Sequence, residues 1–571
     1  MNAAIITFVS LVTLFLGYRF YSKFIAQKIF RTESEDELMP SEEFRDEIDF
    51  VPTKKHVLFG HHFSSIAGAA PILGPAIAVV WGWLPAIIWV VLGSIFIGAV
   101  HDFGTLVISA RNKGKSIGLI TQLFIGERSK LLFLTVIFLL VFIVIAVFAY
   151  LIANLFVLYP GTVIPINFEI FVAVYIGFKV YKNKGNLLVP SIIALVLLYF
   201  MTWVGFLYPV SLPEWLWVND SAVLTWIIFL MIYGFIAAVL PVWTLLQPRD
   251  YINSHQLIVG LILIYAGIFI AQPIMDAPAI NLNENNVSWF PFLFITIACG
   301  AVSGFHSLVS SGTTSKQLKN IKDARFVGYG GMIGEATLAL AATIAVAAGF
   351  DSSLDWHNHY GDLELASGMQ GQLKAFVNGT SGFLAEIGLN QTMIDNGGNK
   401  QSLAAVFISV LIISFAATSL DTAVRIQRYI IGEIGESIKI KFLENNRFIQ
   451  TSLAVGLSFL LVLTDGSGKG GLKLWPLFGS TNQLLGSLTL LVLSLWLFKI
   501  KRNFWITLIP MILITIITFI ATAYTFFNYI ANSNYLLISI SFIIAVCQIW
   551  IILEGIKAFS ILIKQNQLKS N

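Results

Sequence analysis

Few side chains in this sequence are able to do chemistry, and most of those lie inside apolar runs. The densest group is the stretch His61-His62-Phe-Ser64-Ser65-Ile-Ala-Gly68-Ala69-Ala-Pro71-Ile-Leu-Gly74-Pro75. A second runs from Ser303 through His306, Ser310, Ser311, Thr313 and Thr314 to Lys316. So many hydroxyls on one segment can coordinate a small cation through oxygen or, with His306, carry protons, whereas an isolated Ser or Thr often bonds only to its own helix. Ionisable groups recur at His101 and Asp102, at Glu335 and at Asp421. A charge at that depth costs roughly 3 kcal/mol on insertion scales, so it tends to face a partner or water. Asp102 reads equally as one half of an ion pair and as a proton or ion acceptor. Asp421 lies one turn from Arg425, and i and i+4 share a helix face, so a structural ion pair is expected there. Glu335 has no charged partner within four residues and reads as a titrating group. Asn482 and Gln483 place two amides in an apolar run, as interhelical glue. There is no Gly-rich phosphate loop, no His-Glu-x-x-His and no Gly-x-Ser-x-Gly, so nothing points to nucleotide-driven work or hydrolysis. The only cysteines, Cys299 and Cys547, both fall in apolar runs, so no cysteine-rich metal site is expected.

The elements that position these groups must be membrane helices. The chain has 571 residues, 57% of them hydrophobic and 12% charged, against about a quarter charged for soluble domains. Mean hydropathy is +0.81. One crossing takes about 20 apolar residues, and the apolar runs make about fifteen spans. Alternating sides from an external N-terminus leaves only Lys374, Lys400, Lys469 and Lys473 among the 35 basic residues on the outer side, which predicts a cytoplasmic C-terminus. Nucleic-acid binding is excluded, because the basic residues lie in short clusters between apolar runs.

Pro71, Gly74 and Pro75 cannot sit in an undisturbed helix, because each proline removes a donor and clashes with the preceding turn. Unwound backbone at membrane depth is tolerated only where it is buried in protein or lines a cavity; a kinked packing helix is the other reading. Tyr233-Gly234 followed by Pro241 repeats the device more weakly, in a span of opposite direction. Two interrupted helices of opposite sense predict an inverted five-plus-five repeat meeting at the midplane. The chain then divides into an N-terminal helix and acidic cytoplasmic connector (1–60), a ten-helix core (61–435) and accessory helices (436–571). The external stretch 351–401 reads as a folded loop over one mouth, either a lid or a passive cover.

Five segments carry a family resemblance: GHHFSSIAGAAPILGPAIA (60–78), HDF (101–103), ACGAVSGFHSLVSSGTTSKQL (298–318), SLDTAVRIQRY (419–429) and LWPLFGSTNQLLGSL (474–488). In these the chain resembles the carbon starvation protein A (CstA) family of bacterial inner-membrane transporters. The resemblance implies an all-α, polytopic bundle with a LeuT-like core, and ion-driven uptake of peptides or pyruvate during carbon starvation. This chain is shorter than many members, which points to fewer helices or shorter loops at its C-terminal end.

The expected mechanism is alternating access. The substrate carboxylate meets backbone N–H groups where Ser64, Ser65, Gly68 and Ala69, and Tyr233 and Gly234, interrupt their helices, because a helix N-terminus favours an anion. The coupling ion sits between the first interruption and Ser310, Ser311, Thr313 and Thr314. If it is a proton, Asp102, Glu335 or His306 carries it; sodium would need several oxygen ligands instead. No cofactor is expected, and the partners are a small substrate and the bilayer. A channel or a nutrient sensor of the same fold remains the alternative, and an intramembrane enzyme is the least expected.

Overall fold

A computed structural model describes residues 1–33, 37–182, 185–282, 288–360, 368–394 and 400–568. Glu35 and Asp36 of the connector, Lys184, and positions 361–367 and 395–399 of the external loop lie outside the described residues. The chain is all-α. The one sheet among the described residues is a two-stranded antiparallel hairpin, β1 (Thr392–Ile394) and β2 (Lys400–Ser402), in the external loop.

Thirteen of the described helices are long and apolar enough to cross a membrane. In chain order the elements are α1 (Ala3–Phe30), α2 (Lys55–Ile66), α3 (Ala70–Trp81), α4 (Trp83–Arg111), α5 (Glu127–Leu158), α6 (Pro160–Tyr181), α7 (Leu188–Leu207), α8 (Ala222–Val239) and α9 (Leu246–Ala271). There follow α10 (Trp289–Thr296), α11 (304–314), α12 (Ile321–Ala348), α13 (Met369–Glu386), α14 (Leu403–Ser437), α15 (Arg447–Asp465), α16 (Gly470–Lys499), α17 (Trp505–Ala531) and α18 (Tyr535–Lys564). Thirteen of the fifteen expected spans are continuous helices, and the other two, α2/α3 and α10/α11, are interrupted.

Burial separates core from rim. The apolar window of α14 is wholly buried and that of α16 is 94% buried, whereas those of α1, α7, α17 and α18 are only 33% buried. The last four therefore offer their apolar faces to lipid, and α14 forms the axis around which α5, α8, α9 and α15 pack. Between α12 and α14, α13 lies on the core, and Gln370 donates to Tyr150 and Asn154 of α5 at 3.0 and 2.8 Å.

The first interruption falls where proline chemistry predicts. α2 ends at Ile66, α3 starts at Ala70, and the two are bent by 47°. Pro71 occupies the first turn of α3, where its missing N–H has no bond to lose. The second interruption is not at Tyr233–Pro241. Gly234 sits within the unbroken α8, which ends at Val239. Leu240, just before Pro241, is extended (ψ 151°), the conformation a following proline imposes, so the proline ends a span instead of splitting one. The second break is at residues 297–303, between α10 and α11, where Gly300 takes φ +91°.

The two breaks meet. A Cβ on Gly74 would lie 2.3 Å from the Thr296 carbonyl oxygen, and one on Gly300 would lie 2.6 Å from Ala339 Cβ and 3.7 Å from Pro71 and Pro75. The interrupted spans are thus the second and the ninth, two crossings further apart than the expected second and seventh.

Candidate functional site

Beside the first break, α2 presents two adjacent histidines to two different carboxylates. His61 Nδ1 lies 2.5 Å from Asp250 Oδ2 of α9, and its Nε2 lies 3.2 Å from Thr313 Oγ1 of α11. His62 Nε2 lies 2.9 Å from Asp102 Oδ2 of α4, and its Nδ1 lies 3.0 Å from Thr314 Oγ1. One helix residue turns the side chain by about 100°, so neighbouring imidazoles reach opposite groups of helices. Both are fully buried, as is Asp102. His62 Nε2 can donate to Asp102 while its Nδ1 accepts from the Thr314 hydroxyl. The Thr313 hydroxyl beside His61 also lies 3.1 Å from the Val309 carbonyl, to which it donates.

Most of the expected hydroxyls are committed to this network. Ser310 donates to Asp102 Oδ1. Ser64 donates to the Asp250 carbonyl at 3.0 Å, and Ser65 lies 3.1 Å from Thr422 of α14. Ser311 turns back to the Ser307 carbonyl at 2.6 Å and accepts from Ile117 N at 3.1 Å, which makes it a packing group. Ala69 accepts with its carbonyl from Ile72 and Leu73, opening α3, and Gly68 lies against Ser419 and Phe148.

The second break gathers His306, Glu335 and Cys299. Glu335 Oε1 accepts from Gly300 N at 3.0 Å, while Oε2 lies 3.0 Å from His306 Nε2 without the alignment of a hydrogen bond. His306 Nδ1 and both nitrogens of His101 have no hydrogen-bond partner among the described residues. The possible ligand atoms of Cys299, His306 and Glu335 lie within 4.8 Å of one another, the one described group able to hold a metal ion. Asn482 closes this break by accepting from Phe305 N at 2.8 Å, which caps α11, and by donating to Ser303 Oγ at 3.0 Å. Gln483 donates to the Phe294 carbonyl. A cavity of about 420 Å³, lined by Ala70, Gly74, Thr296, Cys299, Met369 and Trp475, reaches this break from the side of α13.

A third cluster centres on Arg249, the fourth residue of α9 and 2% exposed. It pairs with Asp421 of α14 and donates to Tyr233 of α8, and Glu169 Oε1 of α6 lies 3.7 Å from its Nε. Tyr233 donates to Asp421 at 2.7 Å. The expected pair of Asp421 with Arg425 does not form. Arg425 turns instead to Asp49 of the connector at 2.6 Å and to the carbonyls of Ala237 and Leu240, which lie at the C-terminal end of α8. Glu169 was not singled out by the sequence, although a lone carboxylate in an apolar run was signal enough.

The connector is not merely solvated. Asp49 bridges Arg425 and Arg428 (2.6 and 2.9 Å), and the Ile48 carbonyl accepts from Val242 in the α8–α9 link at 3.0 Å. Burial would raise the Asp49 carboxyl, but Arg425 and Arg428 prevail and hold it well below the usual carboxylate range. Beside it, Asp49, Lys316, Arg428, Glu433 and Arg447 line a cavity of about 530 Å³.

Known proteins share this chain over nearly its whole length. The family described as "Carbon starvation protein CstA" matches residues 2–354 and 357–521. The peptide transporter CstA of Escherichia coli K12 is 33% identical over 560 residues, covering 89% of this chain and 79% of its own. The pyruvate/proton symporter BtsT of the same organism is 32% identical over 586 residues, covering 91% and 81%. Among solved structures, a manganese transporter of Eremococcus coleocola has 12% identity and a TM-score of 0.48, covering 90% of this chain and 99% of that one. With the family matched over residues 2–354 and 357–521 and 32–33% identity to these two relatives across about nine-tenths of the sequence, one conclusion is left: the chain belongs to the carbon starvation protein CstA family.

Proposed function

We propose that this protein is a secondary active, proton-coupled importer of small carboxylate-bearing nutrients, peptides or pyruvate, in the bacterial inner membrane, and that it serves carbon-starved cells. The observation that carries the reading is the buried relay Asp250–His61–Thr313 and Thr314–His62–Asp102–Ser310, which joins α9, α2, α11 and α4 across the two breaks. Ionisable groups inside a membrane are costly and mark ion pathways or proton relays. The relay favours a proton over sodium, since the hydroxyls that would ligate sodium are already engaged with Asp102, the histidines or their own helix. The names of the relatives, peptide transporter and pyruvate/proton symporter, support the substrate class and the coupling.

In this reading the substrate lies beside the first break, near Ser64, Ser65, Gly68 and Ala69 of the α2–α3 corner and Tyr233 of α8, and the proton moves over Asp102, His306 and Glu335. The N-terminus is external and the C-terminus cytoplasmic. The test is uptake into proteoliposomes. Labelled pyruvate or dialanine accumulates above equilibrium when a proton gradient is imposed and not when a sodium gradient is imposed. Equilibration without accumulation under either gradient would identify a channel and overturn the reading.

A further inference from the structure

The guanidinium of Arg249 is held firmly on one side and loosely on the other. Its Nη1 is engaged by Asp421 and Tyr233. The Nε/Nη2 edge has only long contacts: Glu169 Oε1 at 3.7 Å, Thr418 Oγ1 at 3.3 Å and the Ser414 carbonyl at 3.5 Å. Around that edge, Glu169 Oε1, Asp421 Oδ1 and Asn253 Oδ1 have no hydrogen-bond partner among the described residues. Buried polar atoms are nearly always paired, so three unpaired acceptors around one buried cation are an exception that asks for a cause.

Charge supplies it. The groups facing Arg249 are Glu169 from α6, Tyr233 from α8 and Asp421 from α14, and beside it on α9 Asp250 faces His61 of α2. Arg425, one turn along α14, is turned away to Asp49. One cation thus serves two carboxylates, all three side chains only 2–3% exposed, where an excess negative charge is costly.

We propose that the Nε/Nη2 edge of Arg249 is the anchor for the substrate carboxylate and that Glu169 is the proton-exchanging group that clears it. A proton on Glu169 removes its charge from the edge, and the substrate carboxylate takes the place as a bidentate partner of the planar fork, with Thr418 and Asn253 beside it. One proton enters with one carboxylate anion, so the charge of the cluster is the same before and after. Loss of the proton on the opposite side restores Glu169 as an anion and displaces the substrate. The exchange gives one-to-one coupling of proton and carboxylate at a single cation. It rests on the reading of the chain as a proton-coupled carboxylate importer, and adds to the path over Asp102, His306 and Glu335 the group that exchanges the proton against the substrate.

The experiment uses the full chain in proteoliposomes, with labelled pyruvate and labelled dialanine, and reads two quantities: accumulation under a proton gradient, and counterflow exchange without one across external pH. Glu169→Gln mimics the protonated acid, so its counterflow persists and becomes independent of pH, while accumulation falls to the equilibrium level. Arg249→Gln loses about tenfold or more in apparent affinity, the scale of one charge-assisted hydrogen bond. Arg249→Lys, which keeps the charge without the fork, falls between. Because Arg249→Gln leaves carboxylates unpaired, the double variant Arg249→Gln/Glu169→Gln is measured beside it, and is expected to show the same loss. If the wild type accumulates either probe while a folded Arg249→Gln, alone or in the double variant, binds within twofold of wild type, the anchor is overturned and the transport reading stands. Counterflow by Glu169→Gln that keeps the wild-type pH profile overturns the exchange step. A wild type that accumulates neither probe overturns the transport reading itself and this site with it.

Discussion

Asp102 and Ser311 are both fully buried within the same group of helices, yet they do different work. Asp102 accepts from His62 and from Ser310, so its carboxylate joins two helices that approach the breaks. In Asp102→Asn both donors lose a charged acceptor, worth about 1.5–3 kcal/mol each. Proton-driven accumulation is therefore expected to fall by about tenfold or more, measured in proteoliposomes against an inserted protein of known amount. Ser311 bonds to its own helix and accepts from Ile117. Ser311→Ala is expected to lower the melting temperature by leaving one buried N–H unpaired, at about 1–3 kcal/mol, and to leave the ion dependence of uptake unchanged. Sodium dependence that weakens specifically in Ser311→Ala would reverse these roles. The sequence marked both positions for the same reason, a hydroxyl or carboxylate in an apolar run. It had no means of separating them, because the partners of Asp102 lie 40 and 208 residues away and the donor to Ser311 lies 194 away.

Among the elements, the two interrupted segments are the working parts, and their contact depends on the absence of a side chain. The hydrogen of Gly74 faces the Thr296 carbonyl, and backbone cannot rotate aside as a flexible side chain does. Gly74→Ala is expected to push α3 off the second break and to destabilise the protein by about 1–3 kcal/mol, read as a lower melting temperature in detergent. Gly330→Ala is the control. Its nearest neighbour would be at 3.5 Å, within helix α12, so no loss is expected. The first break was legible in Pro71, Gly74 and Pro75, since proline acts on its own turn. The second was misplaced because Gly234 and Pro241 look like a break locally, whereas the actual one, at 297–303, carries no proline. Its unwinding is stabilised by partners from elsewhere, Glu335 on Gly300 N and Asn482 on Phe305 N.

Across the whole molecule, the connector ties the ends of several helices together. Residues 48–53 reach Val242, Arg425, Arg428 and Gln317 in turn, so this short segment spans the α8–α9 link, α14 and the end of α11. Because the folded carboxyl of Asp49 sits below its ordinary value, its contribution to stability is present above the unfolded value near about 4 and is lost only as pH falls through the lower, folded one. A cysteine introduced as Ile48→Cys is therefore expected to label slowly in the otherwise wild-type protein, at a rate that is constant from about pH 5 to 8 once divided by that of a free thiol at the same pH, the whole window lying above both values. With Asp49→Asn added, labelling becomes faster throughout that window. A rate in the Asp49→Asn background equal to wild type would show that the ion pairs do not hold the segment.

Hydropathy alone determined that the chain is an all-α membrane bundle and where nearly every span lies, because an apolar run of about 20 residues is a local property and the bilayer leaves the backbone no other way to satisfy itself. It also determined which polar residues are exceptional. The tertiary structure decided what each exception meets: His61 with Asp250, His62 with Asp102, Asp421 with Arg249, and Arg425 with Asp49. Pairing inside a bundle is set by which helix faces pack, and the sequence rule for neighbours extends only one turn along a single helix. The charge count around Arg249 follows from that packing, since Glu169, Tyr233, Arg249 and Asp421 stand on four different helices.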